Sequence, residues 1–250
     1  MSKIALLLLA GGAMACAQAN LAGVWAATGK PVLMKIDQQG NEFEIAVHAV
    51  TSQQSYKAVV GQEIKETIQG LPMALQAELD GATLVLHIHA TVNGGEVKLT
   101  QRIATGAQPD TLTIDETDQI GSQPEIKVQT SFTRRPAEAW NEDLSKRLAE
   151  NTYKNIQALK GNTTGELEAF MGRAAQSMGV GCGHCHVTGH PESDDKPAKA
   201  TARKMILMVR AIDTQNFPST NEVTCWTCHR GSSKPESAKP ANAKPEGAPK

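Results

Sequence analysis

The chain has 250 residues, more than the about 100 to 200 residues typical of one domain, so two domains are expected. Its formal net charge is -1 and it contains no long basic run, which argues against nucleic acid as a partner. Five cysteines are present, and four of them lie in the last third of the chain, where they form two Cys-x-x-Cys pairs.

The first nineteen residues have the pattern of a secretory signal. Lys3 is followed by the apolar run 4–10, which is too short to span a bilayer. A small-x-small cleavage site ends at Ala19, whereas residues 13–16 resemble a lipobox, which would end a lipoprotein signal at residue 15 and leave a lipid-anchored Cys16. Both alternatives predict a periplasmic or otherwise extracytoplasmic protein, and the second adds attachment to a membrane.

Residues 20–136 show the alternation of half-buried strands. Apolar and polar side chains alternate along 43–49 and again along 84–90. Asp80-Gly81 and Asn93-Gly94-Gly95 are strong hairpin signals between such segments, and residues 38–41 are a looser one. The sequence therefore predicts about eight antiparallel strands in a strongly curved sheet or open barrel.

The pattern changes to a helical period after Pro136, so residues 137–233 are predicted to form a helical domain. A first helix is expected over 140–159. Thr163 and Glu166 form a capping box for a second helix, which Gly179 ends. A third helix is expected to begin near Pro197. The predicted fold class is thus multidomain α+β, with an N-terminal antiparallel sheet or open barrel followed by a helical domain.

Each Cys-x-x-Cys pair is followed directly by histidine, in the segments CGHCH at 182–186 and CWTCH at 225–229. This spacing is that of covalent haem attachment, in which two thiols add to the vinyl groups of one haem and the adjacent imidazole ligates its iron. The motifs predict two c-type haems with thioether bonds from Cys182, Cys185, Cys225 and Cys228, and with His186 and His229 as proximal iron ligands.

Two other uses of the cysteine pairs are weaker alternatives. Two Cys-x-x-Cys pairs can hold a tetrahedral zinc ion, but such a site needs no histidine after either pair. A redox dithiol is normally embedded in alternating strands and helices, and that pattern is missing from this sequence.

The sixth ligand of each iron separates an electron carrier from a catalyst, because a filled position keeps oxygen and peroxide off the metal. Methionine is the expected ligand. The candidates on apolar helix faces are Met171 and Met178 before the first motif, and Met205 and Met208 before the second. Each of them could instead pack in a core, and His184 or His190 could replace methionine in a bis-histidine arrangement.

Residues 170–182, FMGRAAQSMGVGC, together with 223–231, VTCWTCHRG, resemble the cytochrome c subunit family of photosynthetic reaction centres. The resemblance covers about residues 163–233. It implies a haem-packing unit for electron transfer, with Met171 as sixth ligand of the first haem and Met205, or alternatively Met208, as that of the second. The chain departs from the family in having two haem motifs instead of four and a strand-rich N-terminal domain.

Residues 234–250 repeat Lys-Pro every five positions with small residues between, which predicts an extended, disordered tail. Taken together, the motifs predict an exported diheme cytochrome that is an electron carrier and not an enzyme, working between a redox donor protein and an acceptor protein. Two alternatives remain open: a diheme enzyme such as a peroxidase with one open haem, or a haem-containing sensor or structural subunit.

Overall fold

The computed structural model describes residues 20–68, 70–92, 94–218, 220 and 222–235. The predicted signal segment with Cys16, the hairpin residue Asn93 and the tail beyond residue 235 lie outside the described residues.

Contacts within the chain divide it into two compact units. The first is strand-rich and comprises the described residues up to 28 with 33–48 and 53–140. The second is mainly helical and comprises 29–32, 49–52 and the described residues from 141 onward.

The strand-rich unit is one antiparallel sheet of ten strands in the order β4-β3-β2-β1-β10-β9-β8-β7-β6-β5. Their bounds are β1 Gly23–Ala27, β2 Val32–Gln39, β3 Glu42–Ala49, β4 Gln53–Val59, β5 Glu63–Ile68, β6 Leu71–Asp80, β7 Thr83–Val92, β8 Gly95–Thr105, β9 Thr111–Ile120 and β10 Ile126–Arg135. The predicted count of about eight strands is therefore wrong. Short strands such as β5, EIKETI, alternate one apolar with one charged or polar residue over only a few positions and give a weak signal.

The sheet curls into a nearly closed barrel. This agrees with the predicted strongly curved sheet or open barrel. Its two edge strands, β4 and β5, are consecutive in the chain, and the peptide N–H of Gly61 between them donates to the Ala77 carbonyl at 2.9 Å. The predicted hairpins at Gly40 and Gly81 are confirmed, because both glycines adopt the positive φ that these tight turns need. The core is formed by fully buried apolar side chains, among them Trp25, Leu33, Ile36, Ile45, Leu84, Leu86, Ile103 and Leu112.

The helix predicted over 140–159 is wrong. Its residues form 3-10 helices at Ala137–Asn141 and Leu144–Lys146 and the four-residue helix α1, Ala149–Thr152. The Asp143 carboxylate accepts from the peptide N–H of Ser145 and begins a new turn, and Asn155 adopts a left-handed conformation with φ 62°. The apolar period is real, since Leu144 and Ala149 are buried, but it is carried by short turns.

The two later helices match their sequence signals. Helix α2, Thr164–Met178, has the predicted capping box between Thr163 and Glu166 and ends at Gly179 with φ 63°. Helix α3, Pro197–Asn216, has proline in its first turn as predicted. Among the described residues, none of the helices combines the length and the apolar character needed to cross a membrane.

The helical unit has a small core of its own. Ala149, Leu159 and Leu167 are buried in it, and they are surrounded by the half-buried side chains of Tyr153, Ile156, Phe170, Met171 and Ile206. This cluster joins α1, α2 and α3, and so it fixes the helices that precede the two cysteine motifs.

Candidate functional site

The first motif forms a single turn directly after α2. Residues Cys182–His184 are a 3-10 helix, and the Cys182 carbonyl accepts from the peptide N–H groups of Cys185 at 3.2 Å and His186 at 3.0 Å. Cys182 is exposed, whereas Cys185 and His186 are half-buried. The turn therefore places two thiols and one imidazole next to each other on a short stretch of backbone.

The second motif is a helix in its own right, α4, Cys225–His229. Thr224 and Thr227 form a capping box at its start, and the carboxylate of Asp213 at the end of α3 accepts from the peptide N–H of Val223 at 3.0 Å. Asp213 is only 9% exposed, so this bond is a buried anchor for the segment that leads into the motif. Cys228 is exposed, and Cys225 and His229 are half-buried.

Both motif histidines have the same hydrogen bond to the main chain. The Nδ1 of His186 donates to the Pro191 carbonyl at 2.9 Å, and the Nδ1 of His229 donates to the Ser232 carbonyl at 2.9 Å. A carbonyl can only accept, so Nδ1 carries a proton, and the tautomer that fits this bond has its lone pair on Nε2. Each imidazole is thus held in the tautomer that ligates a metal through Nε2.

The end of α2 lies directly against the residues that follow the second motif. The peptide N–H of Gly231 donates to the Ser177 carbonyl at 2.7 Å. A Cβ atom built on Gly179 would lie 2.3 Å from the Gly231 carbonyl oxygen, far inside van der Waals contact. This close approach, which only glycine permits, brings the chain leading to the first motif next to the end of the second.

The four motif cysteines are free thiols. Burial raises the pKa of the Cys185 thiol and of the Cys225 thiol. At the second motif this is the opposite of the lowered pKa that the first thiol of a redox dithiol needs, which disfavours the dithiol alternative there. Within the described residues, no group of three or more His, Cys, Asp or Glu side chains is placed to hold one metal ion.

Basic side chains at the start of α3 fasten the loop between the first motif and that helix. Lys196 Nζ donates to the Gly183 carbonyl inside the motif, and Arg203 forms an ion pair with Asp194 at 2.9 Å. Hydrogen bonds from Arg203 and from Asn155 hold the pKa of the Asp194 carboxyl well below its usual range, so it remains ionised at neutral pH. Sequence reasoning missed this arrangement, because ordinary lysines and arginines at a helix start carry no distinguishing signal.

The methionine candidates occupy different surroundings. Met171 packs half-buried against the Leu159 and Leu167 cluster. Met205 is 40% exposed and Met208 is 44% exposed on α3, where Leu207 is exposed as well. The sequence predicts that all four methionines lie on apolar helix faces. This prediction does not decide which of them ligate iron.

The residues at each motif fit a covalently bound haem. Paired free thiols and a histidine whose Nδ1 is bonded to a carbonyl, which leaves Nε2 for the iron, are the donor set that such a group requires.

The chain is similar to known proteins. It matches the family described as photosynthetic reaction centre cytochrome C subunit over residues 101–248, more than half of its length. It is 38% identical over 94 residues to the photosynthetic reaction center cytochrome c subunit of Thermochromatium tepidum, a match that covers 36% of this chain and 23% of that protein. It is also 33% identical over 106 residues to cytochrome c-554 of Chloroflexus aurantiacus, covering 38% of this chain and 25% of that protein.

A longer match is to a third relative. The photosynthetic reaction center cytochrome c subunit of Roseobacter denitrificans is 27% identical over 156 residues, which cover 58% of this chain and 41% of that protein. These matches span between 23% and 41% of the relatives' lengths. Among solved structures, secretory abundant heat soluble protein 4 from Ramazzottius varieornatus matches 42% of this chain and 69% of its own, with 15% identity and a TM-score of 0.32.

Proposed function

Because the chain belongs to the photosynthetic reaction centre cytochrome c subunit family, we propose that it carries electrons through two covalently attached, six-coordinate haems. The observation that supports this most strongly is that both Cys-x-x-Cys-His motifs form one turn of helix ending in an imidazole whose Nδ1 is bonded to a carbonyl. The protein is then an electron carrier and not an enzyme, and it works between a redox donor protein and an acceptor protein.

Each motif supplies one complete attachment site in this proposal. Cys182 and Cys185 form the thioether bonds of the first haem and His186 ligates its iron; Cys225, Cys228 and His229 do the same for the second. When bound, the haem iron supplies one-electron chemistry by alternating between the ferrous and ferric states. The Pro191 and Ser232 carbonyls keep the imidazoles in the tautomer that this role needs.

Exposed apolar side chains on α3, α4 and the segment between them support a large apolar cofactor in the helical unit. They are between 40% and 56% exposed: Met205, Leu207, Met208, Phe217 and Trp226. Several large apolar side chains exposed on consecutive elements are what a bound apolar group would cover. A macrocycle packed there would remove this surface from water, which is favourable in proportion to the apolar area covered.

The proposal divides the chain as the sequence predicts. Residues 20–136 form a β-rich domain, 137–233 the haem-binding domain, and 234–250 follow as a tail rich in Lys, Pro and Ala. Covalent haem attachment is extracytoplasmic chemistry in bacteria, so the protein is proposed to work in the periplasm or a similar compartment. A signal segment over 1–19 would release it there, whereas a signal over 1–15 would leave it anchored to the membrane through a lipid on Cys16.

We propose that Met171 is the sixth ligand of the first haem, and this assignment can be tested without emptying the core. In Met171→Leu the side chain keeps most of its volume, so the cluster around Leu167 stays filled while the thioether is lost. The variant is expected to bind one carbon monoxide per chain in the ferrous state, where the unchanged protein binds none. Optical titration with carbon monoxide measures this stoichiometry.

Met178→Leu is the matched control, because Met178 lies on the same helix and is also half-buried. It should leave carbon monoxide binding unchanged. If Met171→Leu also binds none, Met171 only packs in the core. The same titration decides between Met205 and Met208: leucine at the true ligand opens the second haem, and leucine at the other position does not.

A further inference from the structure

Lys199 is a cation buried close to the first motif. Lys199 is only 8% exposed. Its Nζ donates to the Pro191 carbonyl at 2.8 Å and to the Ser193 carbonyl at 2.7 Å. It also forms an ion pair with Asp194 at 3.2 Å. Burying an ammonium group is costly unless its donors are satisfied, and here three oxygen atoms satisfy them.

The Pro191 carbonyl accepts hydrogen bonds from two donors. It accepts from Lys199 Nζ at 2.8 Å and from Nδ1 of His186 at 2.9 Å, and one carbonyl oxygen has lone pairs for both. The second motif lacks the cation. The Ser232 carbonyl accepts from His229, and in the described part of the chain no lysine or arginine side chain donates to it.

A charged donor changes how strongly the shared oxygen accepts. The Lys199 ammonium draws electron density from the Pro191 carbonyl, so the oxygen accepts less strongly from the Nδ1–H of His186. The imidazole then keeps more of its proton and donates less electron density through Nε2. Hydrogen bonding at the remote nitrogen of a ligating histidine is a recognised control of metal electronics, and weaker donation favours ferrous iron.

We propose that Lys199 is a positioning residue that acts through the Pro191 carbonyl and His186 to raise the reduction potential of the first haem. The inference rests on the proposed function, since it requires a haem at the first motif. This role of Lys199 also makes the two haems inequivalent. Both motifs have the same cysteines and histidine, but only the first has a buried cation beside it.

The test is a potentiometric redox titration of the haem-loaded protein, followed optically and resolved into two one-electron steps. In Lys199→Met, the ferrous-to-ferric ratio of the first haem at a fixed potential should fall about tenfold, which equals about 59 mV for a one-electron couple. The step of the second haem should not move. Lys199→Arg retains the charge and the donors and should restore most of the ratio.

Lys204→Met is the matched control, because it removes a lysine from the same helix whose side chain is exposed. It should shift neither step. Equal shifts in the two methionine variants would overturn the proposal, since a general charge effect would then explain them. An unchanged step in Lys199→Met would also overturn it. So would a higher potential, which is expected if Lys199 only holds the loop so that Pro191 can reach His186.

A measurement on the unchanged protein keeps the proposal testable if Lys199→Met does not fold. In proton NMR of the diamagnetic ferrous protein, the Nδ1–H of His186 should show a weaker hydrogen bond than that of His229, and an equal or stronger one would contradict the proposal. The haem content of the unchanged protein distinguishes a wrong role for Lys199 from a wrong proposed function. Fewer than two covalent haems per unchanged chain contradicts the function itself.

Discussion

Replacing Cys182 and Cys185 by alanine should leave one covalent haem per chain, and replacing Cys225 and Cys228 should independently leave one. Each pair provides both thioether bonds of one haem, and histidine alone holds the group only by coordination. The mass of the intact denatured chain, compared with haem absorbance, counts the attached groups.

His184→Ala is a useful control for these double variants, because His184 lies between the two cysteines of the first motif and is exposed. It should retain both haems. If His184 were the sixth ligand of a bis-histidine haem, the variant would keep the covalent bonds but change the spectrum. Two covalent haems in either double-alanine variant would contradict the assignment of the motifs, and bound zinc in place of haem would favour the tetrahedral alternative.

Substituting alanine for Gly179 should destabilise the helical unit by about 2 kcal/mol or more, because two separate penalties add. The residue has φ 63°, where a side chain is strained, and its new Cβ would lie 2.3 Å from the Gly231 carbonyl oxygen. Gly231 must then move, together with the nearby Ser232 that accepts from His229. We therefore expect a lower unfolding midpoint in denaturant and an altered spectrum of the second haem.

Gly172→Ala is the matched control on the same helix. A Cβ at Gly172 meets nothing within 4 Å, so alanine should stabilise the helix by about 0.5–1 kcal/mol. Equal stability of Gly179→Ala and the unchanged protein would show that α2 and the end of the second motif are free to separate.

The parts of the structure that were predictable from sequence depend on local chemistry. Glycine in a tight turn and a capping box act over four or fewer residues, so the hairpin at Gly81 and the Thr163 cap of α2 could be identified directly. The turns after Pro136 could not, because the Asp143 side chain competes locally with a helix whose apolar period is otherwise good, and Asn155 adopts a left-handed backbone conformation.

The site shows the same division. Spacing alone identifies the cysteines and histidines, since attachment chemistry needs them in that order. Contacts between distant residues do not appear in any local pattern. The Pro191 and Ser232 carbonyls, the approach of Gly231 to Gly179 and the buried Lys199 depend on how the chain turns between the motifs. These contacts can be seen only when the fold is known, because the residues that form them are separated in the sequence.

The combined optical and electron paramagnetic resonance spectrum of the purified oxidised protein shows whether both haems are six-coordinate. Two six-coordinate haems predict ferric iron that is entirely low-spin, in two equivalents per chain, with both returning to the same state after a cycle of reduction and oxidation. A large high-spin fraction would contradict the electron-carrier proposal, because it would show an open iron position and favour a diheme enzyme such as a peroxidase.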